Sequence, residues 1–104
     1  MAQTVLFIVK ATITPEKEAE FNRWYHEVHI PDVLNYPGCL SARRYRALSG
    51  ENKFQYMAVY EFKDQETLEG FLKSNDLKAL AQDYEANYGA FSERARMTYL
   101  QVYP

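Results

Sequence analysis

The sequence predicts an α+β domain, a four-stranded antiparallel sheet with helices on one face, in the order β-α-β-β-α-β. Three observations carry this reading. A β-branched and aromatic run from Thr4 to Ala11 opens the chain. An alternating row follows mid-chain, with Phe54, Tyr56, Ala58, Tyr60 and Phe62 facing one way and Gln55, Met57, Val59 and Glu61 the other. Two stretches of helical apolar spacing, each with a start signal, separate the strands. Together they give the ferredoxin-like split βαβ pattern.

The first strand is apolar at odd and even positions alike, as a central strand buried on both faces reads. Thr14-Pro15-Glu16 then supplies a helix start: a hydroxyl cap, proline at the first helical position and an acid in the first turn. Phe21, Trp24, Tyr25 and Val28 follow at i, i+3, i+4 and i+7, one apolar stripe. Pro31 biases Ile30 away from helix, so this helix is expected to end near His29, with a single extra turn over Pro31 to Tyr36. Pro37-Gly38 is a turn signal. Cys39 to Leu48 reads as a strand whose Arg43, Arg44 and Arg46 mark it as an edge. Ser49-Gly50-Glu51-Asn52 is hairpin-turn chemistry leading into the aromatic strand. Asp64 caps a helix carrying Leu68, Phe71 and Leu72. Ser74-Asn75-Asp76 starts another, with Leu77, Leu80, Ala81, Tyr84 and Tyr88 on its stripe and Gly89 as its stop. Arg94 to Tyr103 reads as the fourth strand.

Composition excludes several classes. The 104 residues fit one domain, spanning 1–104. Twelve Lys+Arg against fourteen Asp+Glu leave a net charge of −2 without a basic block, which argues against nucleic acid. The longest apolar run, Val5 to Val9, is far short of a membrane span, and no signal-like segment precedes it, so the chain reads as cytoplasmic and off the membrane. A single cysteine, Cys39, excludes an internal disulfide and reads as a small buried side chain. Aromatic residues make up 15%, with nine tyrosines. Helices cover one sheet face, yet the first and third strands are apolar on both. The expected cover for the second face is another copy of the chain, so the sequence predicts a homodimer.

The densest reactive stretch is Trp24-Tyr25-His26-Glu27-Val28-His29-Ile30-Pro31-Asp32. At about 100° per residue, His26 falls opposite the apolar stripe and faces solvent, while His29 lies at the border between core and water. A border histidine is partly desolvated yet reachable, the setting of a general acid or base near neutral pH. Asp32 is placed to accept from Nδ1 of His29 and fix its tautomer. The same His-x-x-His-x-x-Asp spacing resembles a metal site, but His26 points away and no fourth ligand is evident, so no metal is expected. Arg43 and Arg44 point to opposite faces, and either could clamp a carboxylate or a developing enolate. Tyr56 and Tyr60 share one strand face and form either pocket wall or dimer core; tyrosines there, with Trp24, Tyr25 and His26, would line an aromatic site. No phosphate loop, nucleophile elbow or dinucleotide fingerprint is present.

Phe21-Asn-Arg-Trp-Tyr-His-Glu-Val-His29-Ile-Pro-Asp32, then Pro37-Gly38 and Ala42-Arg-Arg-Tyr45, resemble the EthD-like branch of the dimeric α/β-barrel superfamily. The resemblance implies a small homodimer whose sheets form a shared barrel, with a pocket between sheet and helices in each subunit. It also implies roles in breakdown of ethers and aromatic compounds or in polyketide tailoring, by cofactor-free mono-oxygenation, cyclisation, isomerisation or decarboxylation. His29 matches the motif histidine associated with acid–base work, beside Trp24, Pro31 and Asp32. His26 departs from the acidic or amide residue common at its position. The expectation is a cofactor-independent lyase, isomerase or cyclase acting on a small, hydrophobic aromatic or enolisable substrate. His29 would move the proton, Asp32 orient it, and Arg43 or Arg44 with a tyrosine stabilise the oxyanion. The alternatives are a non-catalytic small-molecule binder serving a catabolic pathway, and a haem-binding or mono-oxygenase relative with His29 as axial ligand.

Overall fold

The computed structural model of the chain describes residues 3–50 and 53–104. Its strands are β1 (Val5–Ala11), β2 (Cys39–Arg46), β3 (Tyr56–Phe62) and β4 (Arg94–Leu100), in the sheet order β2-β3-β1-β4. Every neighbouring pair is antiparallel. β1 and β3 are central because their residues are apolar on both faces, and the arginine-bearing β2 is an edge, as its sequence predicts. Of the predicted hairpin turn, Glu51 and Asn52 lie outside the described residues. Among the described residues no helix is long and apolar enough to cross a membrane.

The helices pack on the face formed by Val5, Phe7, Val9 and Ala11 of β1 and their partners Phe62, Tyr60, Ala58 and Tyr56 of β3. The same register carries Arg44 and Arg46 of β2 onto this covered face, and Arg94, Arg96 and Thr98 of β4 with them. The open face presents Leu6 and Ile8, Met57 and Val59, Met97 and Tyr99, and Arg43 and Tyr45.

The first helix differs from the sequence expectation. A short 3-10 turn (Pro15–Lys17) leads into α1 (Glu18–Trp24), a π-helical turn (Tyr25–His29) and α2 (Ile30–Leu34), continuous past Pro31. Proline normally ends a helix by clashing with the carbonyl four residues back. Here the Ile30 N–H donates to the Tyr25 carbonyl, an i→i+5 bond, and the wider turn makes room for the proline ring. The π turn also re-aims the side chains. Phe21, Tyr25, His29 and Val33, each four apart, are all buried. In a regular α-helix three such steps would rotate the stripe by about 120°, and the extra residue in the π turn absorbs that drift. Val28, expected on the stripe, is exposed instead.

The second helical region is α3 (Gln65–Leu72) and α4 (Asn75–Tyr88). Asp64 and Ser74 cap them, accepting from the Thr67 N–H at 2.8 Å and the Leu77 N–H at 3.1 Å. Leu68 and Phe71 anchor α3, whereas α4 buries only Tyr84 and Tyr88 near its C-terminal end. Leu72 is exposed, and Cys39 is half-buried rather than enclosed.

Gly38 joins α2 to β2 with φ +96°, and a Cβ there would collide with the Thr67 side chain on α3. Gly50 has φ +91° but open space around it among the described residues. Gly38→Ala is therefore expected to lose more stability in urea unfolding than Gly50→Ala, which pays only the backbone cost of about 1–2 kcal/mol. Equal losses would mean the Thr67 contact does not constrain the turn.

Candidate functional site

Beneath the π turn, the space between helices and sheet holds His29, Tyr60, Arg94 and Arg96, walled by Phe7, Val9, Val33, Phe71, Leu77 and Leu80. Its volume is about 20 Å³, room for one water. A second, open cleft of about 320 Å³ lies across Phe71 and Leu80, which line both spaces. Asp32, Asn35, Tyr36 and Asp76 line this outer cleft.

His29 is 8% exposed and set among rings. It stacks on Trp24 with centroids 4.8 Å apart and planes 24° apart, and meets Tyr25 edge-on at 5.0 Å. Tyr84 closes a third side at 6.2 Å. The border position expected of it is not what the fold provides, because the π turn rotates it into the core. The predicted Asp32–His29 pair is also absent. Asp32 is exposed in the outer cleft, and His29 Nδ1 has no hydrogen-bond partner among the described residues.

Burial lowers the His29 pKa to about 4, and the positive charges of Arg94, Arg44 and Arg96 push in the same direction. The imidazole is therefore neutral at pH 7. Burial raises the Tyr25, Tyr60 and Tyr84 hydroxyls, so all three stay protonated and able to donate.

Arg44 lies on the covered face, and Arg43 lies exposed on the opposite one with its Nη1 donating to Ser41 Oγ at 3.4 Å. Strand alternation thus takes Arg43 away from the site. The Arg44 guanidinium sits 4.2 Å from the Tyr25 ring centre and 4.7 Å from that of Tyr56. Its Nη1 donates to Asn22 Oδ1 at 2.8 Å and lies 3.2 Å from Nε2 of the exposed His26. A guanidinium only donates, so His26 Nε2 accepts. Nε and Nη2 of Arg44 are buried without hydrogen-bond partners among the described residues. Burial lowers the Arg44 pKa.

Tyr56 and Tyr60 both line the helix-covered side, but their hydroxyls differ. Tyr56 donates to Glu18 Oε2 at 2.5 Å and accepts from Asn22 Nδ2 at 3.1 Å, so it is occupied. Tyr60 OH is buried beside the cavity with no hydrogen-bond partner among the described residues.

Sequence reasoning missed Arg94, Arg96 and Tyr84. Arg94 lies over the Tyr84 ring at 3.8 Å, and the Tyr84 hydroxyl is 2.6 Å from Ser92 Oγ. The available signal was the alternation Arg94-Ala95-Arg96-Met97, with charge on one strand face and apolar residues on the other. Ordinary patterning would put the charges in solvent and the apolar row in the core. The register instead turns the charged row toward the helix side of the sheet, where Arg94 is half-buried and Arg96 exposed.

A helix-covered cavity on a four-stranded antiparallel sheet defines a ferredoxin-like α+β protein. The chain belongs to the family described as a domain of unknown function, DUF4286, whose model matches residues 4–102. Among solved structures it is similar to an ethyl tert-butyl ether D (EthD) family protein from Bacillus halodurans C-125. That pair has 22% identity and a TM-score of 0.72 over 96% of this chain and 99% of that one. SnoaB, a cofactor-independent oxygenase from Streptomyces nogalater, shares 17% identity with a TM-score of 0.67 over 99% and 97%. A dimeric ferredoxin-like protein of unknown function from Thermobifida fusca YX shares 10% identity with a TM-score of 0.64 over 97% and 93%. At these identities the likeness is one of fold, and it matches the EthD-like resemblance read from the sequence. No curated protein matches the chain significantly.

The buried imidazole makes stability depend on pH. In the unfolded chain His29 regains its usual value of 6.5, against about 4 in the fold. Between these values the unfolded state binds more protons, so stability present above pH 6.5 is lost as pH falls through 4. The wild type is expected to lose about 3 kcal/mol more than His29→Gln between pH 7.5 and pH 4 in urea unfolding. Parallel losses in the two proteins would show that His29 is not held neutral by the fold.

Proposed function

We propose that the chain is a cofactor-independent enzyme moving a proton on a small aromatic or enolisable molecule, as a lyase, isomerase or cyclase. Such chemistry suits breakdown of aromatic compounds or ethers, or polyketide tailoring. The observation that carries the reading is the neutral His29 imidazole, with unpartnered Nδ1, beside the unpartnered Tyr60 hydroxyl in an apolar cavity. SnoaB, described as a cofactor-independent oxygenase, shares the fold and supports chemistry without a bound helper group.

In this reading His29 Nδ1 takes a proton from a C–H next to a substrate carbonyl. The C–H electron pair moves into an enolate, and Tyr60 OH donates a hydrogen bond to the enolate oxygen. The imidazolium then returns the proton at a second carbon, or passes it to a leaving group. Trp24 and Tyr25 hold the ring of His29 in place, and Arg44 acts through its contact with Tyr25. Asp32 and His26 stand outside the cavity, Asp32 in the outer cleft and His26 against Arg44. Displacement of the Leu80 side chain would join the cleft to the cavity, giving the roughly 300 Å³ or more of an ordinary small-molecule site. Only half-buried residues hold that end of α4.

General acid–base help of this kind supplies roughly 10²–10⁴-fold. Deuterium uptake from D2O into phenylacetone and related enolisable ketones, followed by NMR, is expected to be accelerated about 100-fold or more by the wild type. His29→Gln should abolish the acceleration, and undiminished exchange in that variant would remove His29 from the mechanism. The low basicity of His29 favours a second reading, a non-catalytic binder. Saturable binding of the ketones with no exchange by the wild type would select it.

The open sheet face supports a homodimer, with Leu6, Ile8, Met57, Val59, Met97 and Tyr99 forming a contiguous apolar surface across three strands. A relative of the same fold from Thermobifida fusca YX is described as dimeric. Light scattering at micromolar concentration should give twice the 12.2 kDa chain mass, and Val59→Glu should give the monomer. A monomeric wild type would contradict the assignment.

A further inference from the structure

We propose that the molecule taken into this cavity is an organic acid, whose carboxylate is held between Arg94 and Arg96. The proposal rests on the cavity being the substrate site, and it adds the charge of the substrate. Arg94 and Arg96 are two residues apart on β4, opposite Ala11 and Val9 of β1, so both project to the covered face. Both line the cavity with His29 and Tyr60. Burial lowers the Arg96 pKa, and the nearby charge of Arg94 lowers it further. Two guanidiniums placed side by side at the cavity wall repel one another, and an anion held between them relieves that repulsion.

Among the described residues no carboxylate serves that purpose. Among the described residues the ion pairs are Lys17–Glu20 and Lys53–Glu93, and neither involves the cavity. Arg94 rests over the Tyr84 ring at 3.8 Å, a contact that occupies its face and leaves its N–H edge for a planar anion. Arginine pairs with carboxylates through two parallel N–H···O bonds, which suits this arrangement. Phe7, Val9 and Phe71 supply an apolar wall for the rest of the ligand, so inorganic phosphate would leave most of the site unused. The bound carboxylate would also offset part of the positive field around His29, raising its basicity when substrate is present.

Matched acid and amide pairs test this by calorimetry at low salt: benzoate and benzamide, phenylacetate and phenylacetamide, cinnamate and cinnamamide. At least one acid should bind about tenfold or more tighter than its amide, with affinity falling as salt rises. Arg96 is exposed, so Arg96→Gln should fold; it should erase the acid preference by weakening acid binding far more than amide binding, and Arg96→Lys should restore part of it. His29→Gln should keep the preference. Equal binding of acids and amides would overturn the proposal and leave the cavity reading standing. Acid binding unaltered in both Arg94→Gln and Arg96→Gln would overturn it too, as would inorganic phosphate binding as tightly as the best acid. Failure of every acid and amide to bind would overturn the proposal together with the substrate-site reading.

Discussion

The π turn at Tyr25–His29 decides what this molecule can do. Pro31 ought to stop the first helix, and a stopped helix would leave His29 at a frayed, wet end. One i→i+5 bond lets the chain pass the proline and turns the buried stripe so that Phe21, Tyr25, His29 and Val33 all face the sheet. Every property of the histidine follows from that rotation. It stacks on Trp24, loses water, faces the arginines across the interior and becomes neutral. π turns recur at functional sites because they re-aim one side chain without breaking the helix that carries it.

The second constraint is charge. A small core ordinarily excludes guanidiniums, or pairs them with acids. Here Arg44 and Arg94 are half-buried on the helix side of the sheet, with Arg96 exposed beside them, and none has an ion-paired carboxylate among the described residues. Aromatic rings do part of the compensating, with Arg44 against Tyr25 and Tyr56, and Arg94 over Tyr84. The aromatic surplus of the sequence is thus used largely inside the fold. Tyr25, Tyr60 and Tyr84 are among its largest fully buried side chains.

The architecture was legible because each strand and helix followed its own period. β3 alternated, α3 and α4 carried capping residues that bond as capping residues do, and the arginines of β2 marked an edge. The site was less legible, for two physical reasons. A proline was read by its usual effect, so the π turn and the rotation of His29 were invisible, and the pairing with Asp32 failed with them. The sign of β4 was also hidden. Its charged and apolar faces are both plain in the sequence, but only the register with β1 shows that the charged one faces the helices. That inversion makes sense where the apolar face has a partner subunit and the charged face has a ligand.

The fold buries His29 as a neutral imidazole in a positive field. An NMR titration of the imidazole resonances of labelled protein measures it directly, with His29→Gln assigning the signal. His29 is expected to titrate near pH 4, far below the ordinary 6.5. A His29 midpoint at or above 6.5 would contradict it.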